Sequence, residues 1–240
     1  MIENEKKFLK SKSFLFKVIL LLTLSCIFSL WTFNQYYPTA NESRHIQICK
    51  NQLEFHNEIA VWTFLTDDIQ NYGTGAVKLL KSIQMNVKTS KFDAILLELI
   101  QKPIEAKIRE NITKAGWRIC QVNRIAPRDE ANTFGRFRDQ FTKLLLWKAL
   151  EYKANYYFDS DALVIRNVDT FFKIHSRFDP DLHKIGCTMD IRASVWQKSF
   201  NMGVFVIKPS HKEFDRLLKL KNDINFQFEA VNFIFMVIIK

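Results

Sequence analysis

The chain has 240 residues, 48% of them hydrophobic, and a formal net charge of +10. That length and apolar content suit one sizeable domain with an appendage. The positive balance invites nucleic acid, but the lysines lie along helical stretches or in the N-terminal tail and no nucleic-acid module accompanies them, so that partner is excluded; anionic phosphates or a membrane surface account for the charge equally well.

Lys6, Lys7, Lys10 and Lys12 precede an almost wholly apolar stretch, 14–33, interrupted only by Lys17 and a few small polar residues. About 20 residues of helix cross a bilayer core, and no basic residue follows until Arg44. The positive-inside rule then predicts a cytosolic tail over 1–13 and a transmembrane anchor over 14–33, with the remainder lumenal, as in a single-pass type II protein of the Golgi or secretory-pathway membrane. A cleaved signal peptide is the competing reading. The length of the stretch and the poor cleavage site at Ser25-Cys26-Ile27-Phe28 stand against it.

Residues 34–57 read as a polar stem and 58–240 as the folded domain. Ile59 to Thr66 is a buried-strand run, followed by Asp67-Asp68 and a polar turn through Asn71, Tyr72 and Gly73. Ala76 to Ile83 has helical spacing, Phe92 to Leu97 reads as a strand, and Ile104 to Ala115 as a helix stopped by Gly116. Trp117 to Ile125 is a further strand, and Phe137 to Tyr152 a long amphipathic helix leading into the strand before Asp159. Short runs at Lys184 to Thr188 and Gly203 to Lys208 follow, with helices near Glu213 and Phe228. Strands alternating with helices predict an α/β fold with a mainly parallel sheet covered on both faces. Ligands of such sheets bind beyond the carboxyl ends of the strands, where Thr66 to Tyr72 and Asp159 to Asp161 fall.

Among the cysteines, Cys26 falls in the apolar stretch. Cys49, Cys120 and Cys187 form an odd set without C-x-x-C spacing and read as buried free thiols rather than a metal site. Asn41-Glu42-Ser43 and Asn111-Ile112-Thr113 are glycosylation sequons, and both fit a lumenal domain.

Asp159-Ser160-Asp161 closes the apolar run Asn155-Tyr156-Tyr157-Phe158 and precedes Leu163-Val164-Ile165. Two carboxylates one residue apart at a strand end can aim at one point, and no adjacent cation neutralises them. A divalent ion with hard oxygen preferences is their natural partner, and such an ion can carry a diphosphate. Asp179-Pro180-Asp181 has the same form, but it lies in a polar stretch with Pro180 breaking any regular element, and reads as a turn.

Four segments, in order, resemble the glycogenin-like glycosyltransferases of family 8, which have a GT-A (Rossmann-like) fold. They are Ala60 to Gly75; Ala115-Gly116-Trp117-Arg118; Phe141-Thr142-Lys143-Leu144 through Tyr157-Phe158-Asp159-Ser160-Asp161 to Asn167-Val168-Asp169; and Phe200-Asn201-Met202-Gly203-Val204-Phe205-Val206. The resemblance implies a mainly parallel mixed sheet flanked by helices, a UDP-sugar donor, Mn2+, a glycan or glycoprotein acceptor and a retaining transfer. It places uracil and ribose at Leu65, Thr66 and Asp67, with Tyr72 stacked on the base. It puts the metal on Asp159 and Asp161, with Ser160 between them, Lys143 facing the diphosphate or the sugar, and Asn201 and Asp190 approaching the donor sugar. A cation between two carboxylates and a diphosphate offsets the charge that builds on the leaving group.

The chain departs from the family pattern after this. Gln227-Phe228-Glu229-Ala230-Val231-Asn232 stands where the family has "DQxxLN", and the family's later histidine motif has no counterpart before Lys240. The expectation is a C-terminally truncated catalytic domain. The alternative is a catalytically inactive, membrane-anchored member or fragment that binds partners. A haloacid-dehalogenase-type phosphatase also uses a strand followed by D-x-D, but there Gly-Thr follows, where this chain has Ala162-Leu163.

Overall fold

The computed structural model describes residues 48–49, 52–66, 69–131, 133, 135–178, 185–190 and 199–223. The chain divides into two units, Met1–Ile46 and Gln47–Lys240, and every described residue belongs to the second. The expected anchor over 14–33, the turn at Asp179-Pro180-Asp181 and the helix near Phe228 lie outside the described residues. Among the described residues no helix is long and apolar enough to cross a membrane.

Six strands form one mixed sheet: β1 (Ile59–Leu65), β2 (Asp93–Leu99), β3 (Arg118–Val122), β4 (Ala154–Phe158), β5 (Ile185–Asp190) and β6 (Ser199–Ile207). Their order across the sheet is β3-β2-β1-β4-β6-β5. β1 pairs in parallel with β2 and β4, and β2 with β3, whereas β6 runs antiparallel to both β4 and β5. The sheet is thus parallel at its centre, as its unbroken apolar strands predict, with an antiparallel flank. Successive β1 side chains go to opposite faces, as the strand pleat requires. Ala60, Trp62 and Phe64 enter one core layer, Ile59, Val61 and Leu65 the other.

Among the described residues three α-helices accompany the sheet: α1 (Ile69–Asn86), α2 (Ala106–Ala115) and α3 (His211–Asp223). One core layer takes Ala76, Leu79, Leu80 and Ile83 of α1 and Ile112 of α2. The other takes Phe214 and Leu217 of α3. Gly116 ends α2 in the left-handed conformation at φ 109°, and its N–H returns to the carbonyl of Thr113. A glycine stop is the signal that marked this end in the sequence.

Two elements differ from expectation. Asn71, Tyr72 and Gly73 lie inside α1, which starts at Ile69. The stretch expected as one amphipathic helix forms short 3-10 segments, Gly135–Phe137 and Gln140–Lys148. The second is buried at Phe141, Thr142, Lys143, Leu144, Leu146, Trp147 and Lys148, so it has no solvated stripe. It is wedged between the sheet and α3. Asn155 on β4 fastens its end by donating to the carbonyls of Leu146 (2.8 Å) and Ala149 (3.4 Å) while accepting the indole N–H of Trp62 (2.8 Å).

Residues 48–49 and 52–57, read as part of the stem, pack onto the domain. Cys49 is bonded to Cys120 across 71 residues, which corrects the reading of both as free thiols; Cys187 is free. The side chain of Gln52 donates to the carbonyl of Gln121 (2.9 Å) and accepts its N–H (2.7 Å), covering part of the edge strand β3. Asp93, buried at the start of β2, accepts from the His56 N–H, Asn57, Tyr152 and Arg118. Burial pushes its pKa up, and these donors outweigh burial, so the net direction is down.

Candidate donor-binding site

Leu65 ends β1 and Asp159 directly follows β4, its parallel neighbour, with Trp62 in register with Tyr157. The D-x-D segment therefore stands beside the end of β1, outside the carboxyl edge of the sheet. Asp159 is held by its backbone: its N–H donates to the carbonyl of Gly203 (2.7 Å), and its own carbonyl accepts the N–H of Ala162 (2.9 Å). Ser160 is buried and Asp161 is exposed.

The two oxygens of Asp159 have different surroundings. Oδ1 accepts from the ammonium of Lys143 (2.9 Å) and the hydroxyl of Tyr157 (2.8 Å). Oδ2 faces Gly203, where a Cβ would come within 3.0 Å of it and within 2.8 Å of Asn201 Oδ1. Any side chain at 203 would press on this carboxylate, which explains the glycine in Asn201-Met202-Gly203-Val204. Asn201 is exposed, and its Oδ1 accepts the Gly203 N–H (2.7 Å), leaving its amide NH2 group available.

Lys143 comes from the 3-10 segment and is itself buried, with its ammonium also near the carbonyl of Met202 (3.3 Å) and 4.4 Å from the Tyr157 ring centre. Its charge is spent on Asp159 and the ring face. Tyr157 is fully buried and stacked on Phe205 at 4.8 Å. Burial first, then the Asp159 charge and hydrogen bond, push its pKa well up, so its proton stays on the phenol.

α1 reaches the site through Gly75. A Cβ there would lie 2.4 Å from the carbonyl oxygen of Ser160, so only glycine lets this helix touch the D-x-D backbone. Tyr72 precedes Gly75 by three residues on the same helix and is 39% exposed. Residues three apart share a helix face, so its ring is on the side of α1 that meets Ser160. Leu65 is buried and Thr66 half-buried. Asp67 lies outside the described residues, as does the side chain of Asp190, whose backbone ends β5.

The structure thus brings Asp159, Ser160, Asp161, Lys143 and Asn201 together, with Tyr72 approaching from α1. Sequence reasoning missed Tyr157 and Gly203. Tyr157 precedes Asp159 by two residues on an extended segment, and that period-two spacing was the available signal. Gly203 gave none, because its importance depends on what lies opposite.

The donor chemistry suits a hard divalent cation in part. Asp159 Oδ2 and the Asp161 carboxylate, which makes no hydrogen bond or ion pair among the described residues, are two oxygen donors. No group of three or more His, Cys, Asp or Glu side chains able to hold a metal occurs among the described residues. Phosphate oxygens and water would have to complete such a shell. Asp169, from the same motif region, has a structural task. It accepts the N–H groups of Lys88, Thr89 and Ser90 and the amide of Asn167, tying the turn after α1 to the loop beyond the D-x-D.

No family model matches the chain. UDP-glucuronate:xylan α-glucuronosyltransferase 1 of Arabidopsis thaliana is 27% identical over 154 residues, 64% of this chain and 20% of that protein. Glycogenin-1 of Caenorhabditis elegans is 28% identical over 158 residues, 65% of this chain and 33% of that protein. The chain therefore spans a third or less of the length of these two relatives. Mouse xyloside xylosyltransferase 1 superposes with a TM-score of 0.53 at 11% identity, covering 75% of this chain and 81% of that one. This structural likeness supports the GT-A assignment of the fold.

Proposed function

We propose that this chain, a relative of the glycogenins and the xylan α-glucuronosyltransferases, is the donor-binding part of a hexosyltransferase. It would move a sugar from a UDP-sugar to a glycan or glycoprotein acceptor. The observation behind this is the split environment of Asp159. One oxygen is fastened by Lys143 and Tyr157, and the other is left open beside a glycine, next to an unpartnered Asp161. A carboxylate so held is oriented before any ligand arrives, which lowers the cost of binding.

Asp159 Oδ2 and Asp161 would hold Mn2+, which supplies charge neutralisation for the diphosphate leaving group. Lys143 keeps Asp159 aimed. Asn201, and Asp190 from the end of β5, would meet hydroxyls of the sugar. Leu65, Thr66 and Asp67 would bound the uridine, and the exposed ring of Tyr72 offers a face for uracil, where stacking contributes roughly 1–3 kcal/mol per base in nucleic-acid binders. Retention of anomeric configuration follows the family resemblance. The disulfide Cys49–Cys120 favours an oxidising compartment, in keeping with a type II anchor over 14–33 in a Golgi or secretory-pathway membrane.

Titration of UDP into the full chain with and without Mn2+, followed by calorimetry, tests the reading. Saturable binding that needs Mn2+ and vanishes in Asp161→Ala is expected. Absence of UDP binding across Mn2+ concentrations would sink it. A second reading, a non-catalytic partner protein, is favoured by the Lys143–Asp159 ion pair, which already neutralises one of only two acidic donors. It predicts a folded, lumenal chain without Mn2+-dependent UDP binding.

A further inference from the structure

We propose that Asn111 carries an N-linked glycan, seated at the mouth of a groove between α1 and α2. The inference rests on the lumenal placement argued above, but not on any sugar-transfer activity of the chain. Asn111 opens the sequon Asn111-Ile112-Thr113 and lies on α2, exposed, while its neighbour Ile112 is buried in the core.

Asn111 differs from the other asparagines whose side chains are described. Asn57, Asn86, Asn123, Asn155, Asn167 and Asn201 each have a side-chain hydrogen bond, and Asn71 has an interaction of its own. Asn111 has none among the described residues. Asparagine is also a poor helix former, because its side chain competes for backbone groups. This one therefore has no side-chain bond for a glycan to break, and it is exposed where it lines an open volume. The groove beside it measures about 530 Å³; Gln70, Thr74, Lys81 and Lys107 supply polar lining, beside the apolar Val77 and Ile108. Hydroxyl, amide and ammonium groups of this kind hydrogen-bond to sugar hydroxyls, so proximal sugars fit there without disturbing the core.

The chemistry constrains the timing. Thr113 Oγ1 sits 3.0 Å from the carbonyls of both Arg109 and Glu110 in the finished helix. That hydroxyl and an extended acceptor are both unavailable once α2 has formed. Transfer must precede folding, on the chain as it enters the lumen. The amide nitrogen of Asn111 then forms a bond to the anomeric carbon of a lipid-diphosphate-linked oligosaccharide. The bond from that carbon to the diphosphate oxygen breaks, the lipid diphosphate leaves, and the amide proton passes to a base of the transferring enzyme. The folded structure has only to accept the product, and an exposed Asn111 beside an open groove with polar and apolar lining does so.

The test expresses the full chain in a secretory-competent eukaryotic cell and digests it with peptide N-glycosidase. Asn41→Gln removes the other sequon, so its chain should lose the mass of one glycan on digestion. Asn41→Gln/Asn111→Gln and Asn41→Gln/Thr113→Ala should lose none, while Asn41→Gln/Thr113→Ser should still shift. Because transfer comes before folding, a variant that folds poorly still reports. No shift in Asn41→Gln overturns the inference. Peptide mapping without reductant separates the two causes. If Cys49 and Cys120 are joined but the glycan is missing, only the Asn111 assignment fails. If link and glycan are both missing, the lumenal placement fails with it.

Discussion

The ammonium of Lys143 lies 2.9 Å from Oδ1 of Asp159, and the lysine is buried while the aspartate side chain is 42% exposed. A cation beneath a carboxylate in this way orients it outward and limits the charge left for a metal. At an effective dielectric of about 20, unit charges at 4 Å interact by about 4 kcal/mol. Lys143→Met should therefore cost about 1–3 kcal/mol of stability in urea unfolding, since it removes the ammonium from Asp159 and the Met202 carbonyl and leaves Asp159 with only the Tyr157 hydroxyl on Oδ1. Mn2+ affinity without nucleotide should not fall by the same proportion, because a competing cation has gone. Unchanged stability would show that the pair carries no structural weight.

Tyr157→Phe removes one hydrogen bond to the same oxygen and keeps the stack on Phe205. A loss of about 1 kcal/mol is expected. Weaker Mn2+-dependent UDP binding should accompany it, by about three- to tenfold. Calorimetry and denaturant titration on one preparation measure both, and a variant identical to the parent in each would remove Tyr157 from the site.

Gly75→Ala should harm both folding and nucleotide binding, because its methyl group would meet the backbone carbonyl of Ser160 at 2.4 Å. Overpacking against backbone typically costs about 1–3 kcal/mol. At Gly135 an added methyl group would meet nothing within 4 Å, so Gly135→Ala is the matched control and should be neutral in binding. Equal behaviour of the two variants would contradict the close approach of α1 to the D-x-D.

The acid limb of stability should carry the mark of Asp93. Its folded pKa lies below the ordinary value of 3.8. A group depressed in the folded state stabilises the protein above its unfolded pKa, and that contribution is lost as pH falls through the folded pKa. The parent should therefore lose stability below about pH 4 more steeply than Asp93→Asn, which should be less stable at pH 7. Thermal melts from pH 7 to pH 3 provide the comparison, and parallel curves would refute the assignment.

Separating Cys49 from Cys120 should cost about 4 kcal/mol on the chain-entropy model for a loop of 71 residues. Cys49→Ser, or reduction of the parent, should lower the melting temperature, and the free Cys187 thiol, pushed by burial to a pKa of about 11, should stay slow to alkylate at neutral pH. A rapidly labelled Cys187, or a melt indifferent to reductant, would contradict these environments.

The central strands were legible because β1, β2 and β4 are buried on both faces, and such strands show as unbroken apolar runs. Gly116 was legible because a helix stop is a local backbone need. The 3-10 segment over 140–148 was not. Its apolar residues satisfy helical spacing, but burial on all sides came from α3 and the sheet, which no local window contains. The start of α1 was misplaced for a similar reason: Asn71, Tyr72 and Gly73 read as turn residues, yet Gly73 packs against Ile108 of α2, where a Cβ would lie 2.5 Å from the isoleucine methyl.

By itself the sequence determined the strand carrying Asp159 and Asp161, the α/β class and the family likeness, since each rests on residues within a few positions of one another. Only the tertiary structure decided that Lys143 serves Asp159, that Gly75 and Gly203 are glycines for want of space, and that Cys49 has a partner in Cys120. Those facts depend on distances between segments far apart in the chain, 16 residues for Lys143 and Asp159 and 71 for the two cysteines, set by the closing of a single sheet. Pair contacts of that range leave no periodic trace in one sequence.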